Sequence, residues 1–303
     1  MTGTYTSSRD RQIGDMVTVG DLGKWHRRDG RTIYRDFDSV AAFARRAERS
    51  GYRSSSSDRW AGGSLSDAVS MATGDGWEGS LETIEAARLA GSATGHDLET
   101  IHDVAGSSID MVRFIEGEPE CMLDSFLTAP KNPVVSMIVP VCYSSATNTE
   151  TVLNRGAVIA AVIEWARANG TVVEVYAMDA RTFGTKRNGV NRFVYTVFCG
   201  DSRGVYDPRV VAYSVAHPTM LRRLGFACAG GETKGFQSAL HIGSQGTGPY
   251  DVTPEDLPRQ AAGPSVTLAA ARNGETVTVE GLLDAVRQAA ETGEAIRYGR
   301  SWS

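Results

Sequence analysis

Apolar positions in the first third of the chain recur with helical spacing. In residues 36–50, DFDSVAAFARRAERS, the side chains of Val40, Phe43, Ala44 and Ala47 share one helical face. Asp38 or Ser39 supplies an N-cap and Gly51 a stop. Residues 64–73, SLSDAVSMAT, predict a second helix, with Ser64 and Asp67 as a variant capping box. Residues 79–90 predict a third, using Leu81, Ile84 and Leu89, while RSSSSDRWAGG and GDGWEG are loops by composition.

The pattern then changes. Residues 100–127 read as a connecting piece: a turn, a short helix through Ile109, Val112, Arg113 and Ile115, a stop at Gly117, and a strand in ECMLDSFL. From 133 onward apolar runs alternate with amphipathic ones. PVVSMIVPVCY is a strand, residues 150–168 a long helix, and TVVEVYAM a β-branched strand. Such a unit predicts a parallel pair joined by a right-handed crossover. RFVYTVFCG continues as a strand after the Asn188-Gly189 turn signal. PRVVAYSVAHPTMLRR is a helix interrupted or restarted at Pro218, LGFACAGG a short strand, SVTLAAA a late strand, and TVEGLLDAVRQAAETG a last helix capped by Thr278. The tail EAIRYGRSWS stays unassigned. Strand–helix alternation over 133–295 predicts an α/β fold, a three-layer sandwich of Rossmann-like type, with an α-rich N-terminal part. The expected division is a flexible arm over 1–35, a mostly helical subdomain over 36–127, and an α/β domain over 128–303. Within the last, the glycine-rich stretch 230–263 reads as a long exposed loop.

Composition narrows the function classes. With 41% hydrophobic residues and a net charge of -5, a sizeable core is expected, and a nucleic-acid coat or basic membrane binder is disfavoured. No window approaches a membrane helix, and MTGTYTSSRDRQIGD has no apolar signal segment. Cys121, Cys142, Cys199 and Cys228 make no CxxC knuckle and read as free thiols.

Four segments carry a resemblance: GWEG (76–79), DVAGSSIDMVRFIEGEPECML (103–123), NRGA (154–157) and AHPTMLRRLGF (216–226). Together they resemble an uncharacterised family of phage and prophage proteins, over roughly residues 35–230. The resemblance implies a phage or mobile-element origin and no particular activity. The order strand–loop–helix–strand is also similar to a von Willebrand A-type domain. That family's DxSxS metal motif would fall on Pro140, Cys142 and Ser144, and only Ser144 matches. A hard cation wants a carboxylate here, so no metal is expected.

The stretch VPVCYSSATNTETVLNRG (139–156) is the first candidate site. It lacks the glycines and lysine of a P-loop and has no GxGxxG. Thr147, Asn148 or Thr149 can cap the following helix. A ligand at the strand ends would meet Ser144, Ser145, Asn148, Asp179 and Arg181. His217, Arg222 and Arg223 form a candidate interface; the proline in HP also suits a helix start. His96 and His102, six apart, do not share a helical face as zinc ligands would. Glu116, Glu118 and Glu120 read as a solvated acidic loop, and WHRRDGR (25–31) as a solvated arm.

No catalytic set emerges. The expected function is a non-enzymatic interaction or assembly module of a phage or mobile element, without cofactor. It would bind another phage protein or itself in the host cytoplasm, with association to the virion as a further option. Nucleic acid is not favoured as a partner, and no membrane contact is expected. The alternative is a nucleotide- or nucleic-acid-processing enzyme with its site at the C-terminal ends of the sheet strands.

Overall fold

The structure, a computed structural model, describes residues 24–27, 32–52, 55–80, 99–104, 108–126, 134–144, 146–168, 171–182, 192–202, 207–232, 252, 256, 263–273 and 277–299. Its main sheet has seven strands: β1 (Lys24–Arg27), β2 (Thr32–Phe37), β6 (Val135–Pro140), β7 (Val173–Thr182), β8 (Arg192–Asp201), β9 (Ser265–Leu268) and β10 (Ala295–Tyr298). They lie in the order β1-β2-β8-β7-β6-β9-β10. The expected pair β6 and β7 is parallel, in register from Val135↔Val173 to Pro140↔Met178. Pro140 closes β6, where its missing N–H costs the ladder little. β9 is parallel to β6 and β10 to β9. β8 runs antiparallel to β7, because residues 183–191 are too few to carry a crossover helix.

β6 alternates. Met137 and Val139 join one core cluster and Ile138 another, so both faces of the strand are buried. On the first face pack α5 (Thr149–Ala168), α6 (Pro208–Ala216) and α8 (Val279–Thr292), through Ile159, Ile163, Val211, Leu282 and Val286. Beside them, on the same side of β7 and β8, α1 (Val40–Arg49) places Phe43 edge-on against Phe37 and Tyr195. α2 (Asp58–Ala61) stacks its Trp60 on Phe226, while the same cluster takes up α3 (Leu65–Ser70) and two wide π-helical turns, Met71–Asp75 and Met220–Gly225, the latter running into α7 (Phe226–Gly230). The second face carries Tyr34, Ile138, Tyr176, Met178, Ala180 and Val194 around Val252. Among the described residues, then, the helices packed on this sheet occupy one face: the fold is mixed α/β, and a second helical layer is not seen. β6–α5–β7 and β9–α8–β10 advance in opposite directions along the sheet with both helices on one face. The two crossovers therefore have opposite hands, and one departs from the usual right-handed rule.

A second, antiparallel sheet has the order β3-β5-β4, from β3 (Glu99–Asp103), β4 (Ser108–Ile109) and β5 (Met122–Phe126). Between β4 and β5 sits α4 (Met111–Glu116), capped by Asp110 and stopped by Gly117 at φ 75°. The left-handed backbone there favours glycine.

Several expectations change. Residues 24–27 and 32–35, expected in a flexible arm, belong to strands of the main sheet, and Asp36 and Phe37, expected to open the first helix, end β2. β2 looks too charged for a strand, but its Arg35 is buried against Glu232 at 2.8 Å, a partner no local pattern reveals. LGFACAGG, expected as a strand, is helical. Leu224, Ala227 and Cys228 are buried at helical spacing, and an all-apolar run hides that period. In 230–263, Val252 and Asp256 are buried rather than exposed, and Asp256 accepts a hydrogen bond from the Tyr34 hydroxyl at 3.0 Å. Most of that segment, and residues 81–90 of the third expected helix, lie outside the described residues. The unassigned tail contributes β10. No described helix is long and apolar enough to cross a membrane.

Candidate functional site

The chain leaves β6 toward β7 and leaves β9 toward β10, so the loops at their carboxyl ends face each other across a topological switch point. Open sheets bind ligands at such places. In the β6 loop the Ser144 hydroxyl accepts from Ala146 N–H (3.2 Å), and Asn148 caps α5 by accepting from Glu150 N–H (3.1 Å). Asn273, after β9, ties the loops together. Its Oδ1 accepts from Asn148 N–H at 2.7 Å and its Nδ2 donates to the Ala146 carbonyl at 2.9 Å. Tyr143 is buried with Val152, Leu221 and Ala271. Burial pushes its phenol up, against the opposing pull of Arg222.

The described residues expected around a ligand differ in exposure. Ser144 is half-buried and Asn148 exposed, whereas Asp179 and Arg181 are almost fully buried. Ser145 lies outside the described residues. Arg181 grips Asp179 with two parallel bonds, Nε to Oδ1 at 2.8 Å and Nη2 to Oδ2. Its guanidinium lies 5.0 Å from the Phe226 ring. Gly225 passes directly over the pair: a Cβ there would sit 2.8 Å from Asp179 Oδ2.

The candidate interface residues also turn inward. Arg222 donates to the carbonyls of Trp60 (2.5 Å) and Thr147 (3.4 Å), with its guanidinium 4.4 Å from the Trp60 ring centre. Arg223 donates to the carbonyls of Gly63 (2.8 Å) and Ser56 (3.1 Å) and pairs with Asp58. Together they strap the stretch 56–63 onto the π-helical turn, and both are buried. His217 packs between Trp77 and Tyr213 and lies 2.8 Å from Thr219 Oγ1. Burial depresses it to about 4, so it is neutral at pH 7.

The other feature that reaches outward is α4. Val104, Ile109, Met111, Val112, Phe114 and Ile115 are 48–77% exposed. Asp110 accepts from the N–H groups of Val112 and Arg113 and lies 3.1 Å from His102 Nε2. Glu116, Glu118 and Glu120 are exposed beside them, with Glu118 3.3 Å from Arg113. Sequence reading saw the helix here but not that its apolar side chains face solvent. The local pattern gave no such signal: Met111, Val112, Phe114 and Ile115 fall on one face of the short helix, the pattern of a core-facing helix. Asn273 and Tyr143 were missed because only the tertiary fold gives them partners or burial. Among the described residues no three histidine, cysteine, aspartate or glutamate side chains gather as metal ligands. His96 lies outside those residues.

Of the four motif segments, three are consumed by packing. Trp77 of GWEG packs on Ala160 and Ala212. Gly156 of NRGA touches Ala216 so closely that a Cβ would lie 1.8 Å from its Cβ. AHPTMLRRLGF supplies His217, the two strapping arginines and Gly225. Only the segment holding α4 presents its apolar residues to solvent.

A mixed α/β sheet with a separate, apolar-surfaced antiparallel lobe is thus the class that fold and surface define. The chain belongs to the family of DUF7192, a domain of unknown function, whose model matches residues 15–256. Searches of curated proteins and of solved structures return no match.

Proposed function

We propose that the chain is a non-enzymatic interaction module that docks another protein on α4. The observation that carries this reading is the display of six large apolar side chains on the small lobe. Full burial of each such side chain is worth roughly 1.5–3 kcal/mol, and contiguous apolar surface marks interaction sites. Two facts support it. The charged residues of the other candidate sites are occupied inside the chain. The lobe falls within the residues matched by the family, whereas Asn273, which completes the switch point, lies beyond them.

As its setting we propose a phage or mobile element, following the motif resemblance. The work would be done in the host cytoplasm or on the virion, with another phage protein or a second copy as partner. For the sheet we keep the Rossmann-like or von Willebrand A-like three-layer reading as a proposal; in it the DxSxS positions would fall on Pro140, Cys142 and Ser144 at the end of β6, without the metal-binding acid. The experiment compares wild type with a Phe114→Ser/Ile115→Ser variant by sedimentation and by affinity capture from cells of the native host. Loss of association in a variant that still folds supports docking on α4. A wild-type monomer that retains nothing overturns it.

A second reading, a nucleotide- or nucleic-acid-processing enzyme, draws on the switch point. Beneath it the buried Tyr143 hydroxyl and Arg181 Nη1 have no hydrogen-bond partner among the described residues, each a cost of roughly 1–3 kcal/mol. A small polar ligand could relieve it. Asp179 and Arg181 would take part only if Gly225 and Phe226 moved aside. Thermal shift against nucleotides and divalent ions decides: a ligand at a hundred times its Kd stabilises by about 2.7 kcal/mol, and a flat panel removes this reading.

A further inference from the structure

Resting on the docking reading, we infer what kind of partner α4 takes: a basic amphipathic segment of a different protein, its apolar face bordered by lysine or arginine. The border of the patch carries the argument. From 110 to 120 the chain bears four carboxylates, Asp110, Glu116, Glu118 and Glu120, against one guanidinium, Arg113. Asp110 is occupied by capping α4 and by His102, and Glu118 is held by Arg113. Glu116 and Glu120 are exposed with no ion pair among the described residues. They flank Met111, Val112, Phe114 and Ile115 as free negative charges.

An apolar centre with a charged border selects by charge as well as by area, since complementary potentials speed encounter and like charges reject wrong partners. A second copy fits poorly. A twofold contact would set the same patch on both sides and bring the glutamates of one copy against those of the other. An anionic lipid surface fits poorly for the same reason. A helix with leucine on one side and lysine along its flanks fits both the apolar residues and the free carboxylates.

The test uses the full chain and three labelled probe peptides, followed by fluorescence anisotropy. One is a leucine–lysine amphipathic helix, one its leucine–glutamate counterpart, and one a lysine–glycine peptide of equal charge with no apolar face. The leucine–lysine peptide should bind at least about tenfold more tightly than either other probe. Phe114→Ser/Ile115→Ser should remove that advantage with the circular dichroism spectrum unchanged. Glu116→Gln/Glu120→Gln should weaken binding roughly two- to tenfold, as expected for exposed charges, and Glu116→Lys/Glu120→Lys should favour the leucine–glutamate probe. Equal binding of both amphipathic probes, or binding indifferent to the Phe114 and Ile115 changes, overturns the basic-partner assignment. So does a concentration-dependent dimer abolished by those changes, which leaves docking on α4 intact with a second copy as the occupant. A monomer that binds no probe and captures nothing from host cells sinks both.

Discussion

At Gly156 two effects oppose each other. Alanine is the better helix former by about 1 kcal/mol, yet its Cβ would lie 1.8 Å from Ala216 Cβ and 2.7 Å from Ala216 Cα. Backbone cannot yield as a side-chain tip can, and overpacking costs roughly 1–3 kcal/mol. Gly156→Ala should therefore lower the thermal midpoint; a rise would mean that α5 and α6 do not touch there. His217 gives a pH signature. Its folded value of about 4 lies below the unfolded 6.5, so protonation favours the unfolded chain. This contribution leaves stability unchanged above about 6.5, lowers it as pH falls toward 4, and adds nothing further below. After discounting for partial exposure the loss is on the order of 2 kcal/mol. Urea unfolding across that range should show a flatter profile for His217→Asn than for wild type, and parallel profiles would refute the assignment.

At the scale of elements, helix ends were the most legible feature, because capping is local chemistry. Ser39, Ser64 and Thr278 cap, and Gly51 follows α1 with φ 66°, all as the sequence predicts. The capping box of α3 is complete, with Ser64 and Asp67 exchanging side-chain and backbone bonds. Ser64→Ala should cost about 1 kcal/mol, read by chemical denaturation. The cap of α4 has a distinct environment. The hydrogen bond to His102, with further bonds from the N–H groups of Arg113 and Val112, holds the Asp110 carboxyl below its usual range despite slight desolvation. Asp110→Ala should speed hydrogen exchange at Val112 and Arg113 and leave amides of β6 unchanged; equal protection in both proteins would remove the capping role. Elements were misread where their cause is distant or their period hidden: β2, whose Arg35 meets Glu232, and 224–230, where an apolar and glycine run conceals the helical period.

For the molecule as a whole, the contrast lies between a sheet that buries both of its faces and a lobe that leaves apolar residues out. Exposed side chains contribute little to folding, so Phe114→Ser/Ile115→Ser should move the unfolding free energy by no more than about 0.5 kcal/mol per substitution. Leu224→Ala, in the core, should cost roughly 2–5 kcal/mol. A double variant that unfolded like Leu224→Ala would place α4 inside a core. Part of the candidate site was legible too. The β6 loop, its cap at Asn148 and the short helix before Gly117 all follow from nearby residues. The sealing of Asp179, Arg181, Arg222 and Arg223 was not legible, since an arginine on a surface and one clamped on distant carbonyls have the same local sequence.

Periodicity and capping are properties of neighbouring residues, and by themselves they determined α1 and α3, the parallel pair β6–β7 with its long connecting helix, the stop at Gly117 and the last helix. Strand order, the antiparallel turn of β8, the crowding of helices onto one face and the inward or outward aim of each charged or apolar side chain depend on contacts between residues far apart in the chain. Those were decided only when the tertiary structure brought Arg35 to Glu232, Tyr34 to Asp256 and Arg223 to Gly63, and left Phe114 and Ile115 with nothing to cover them.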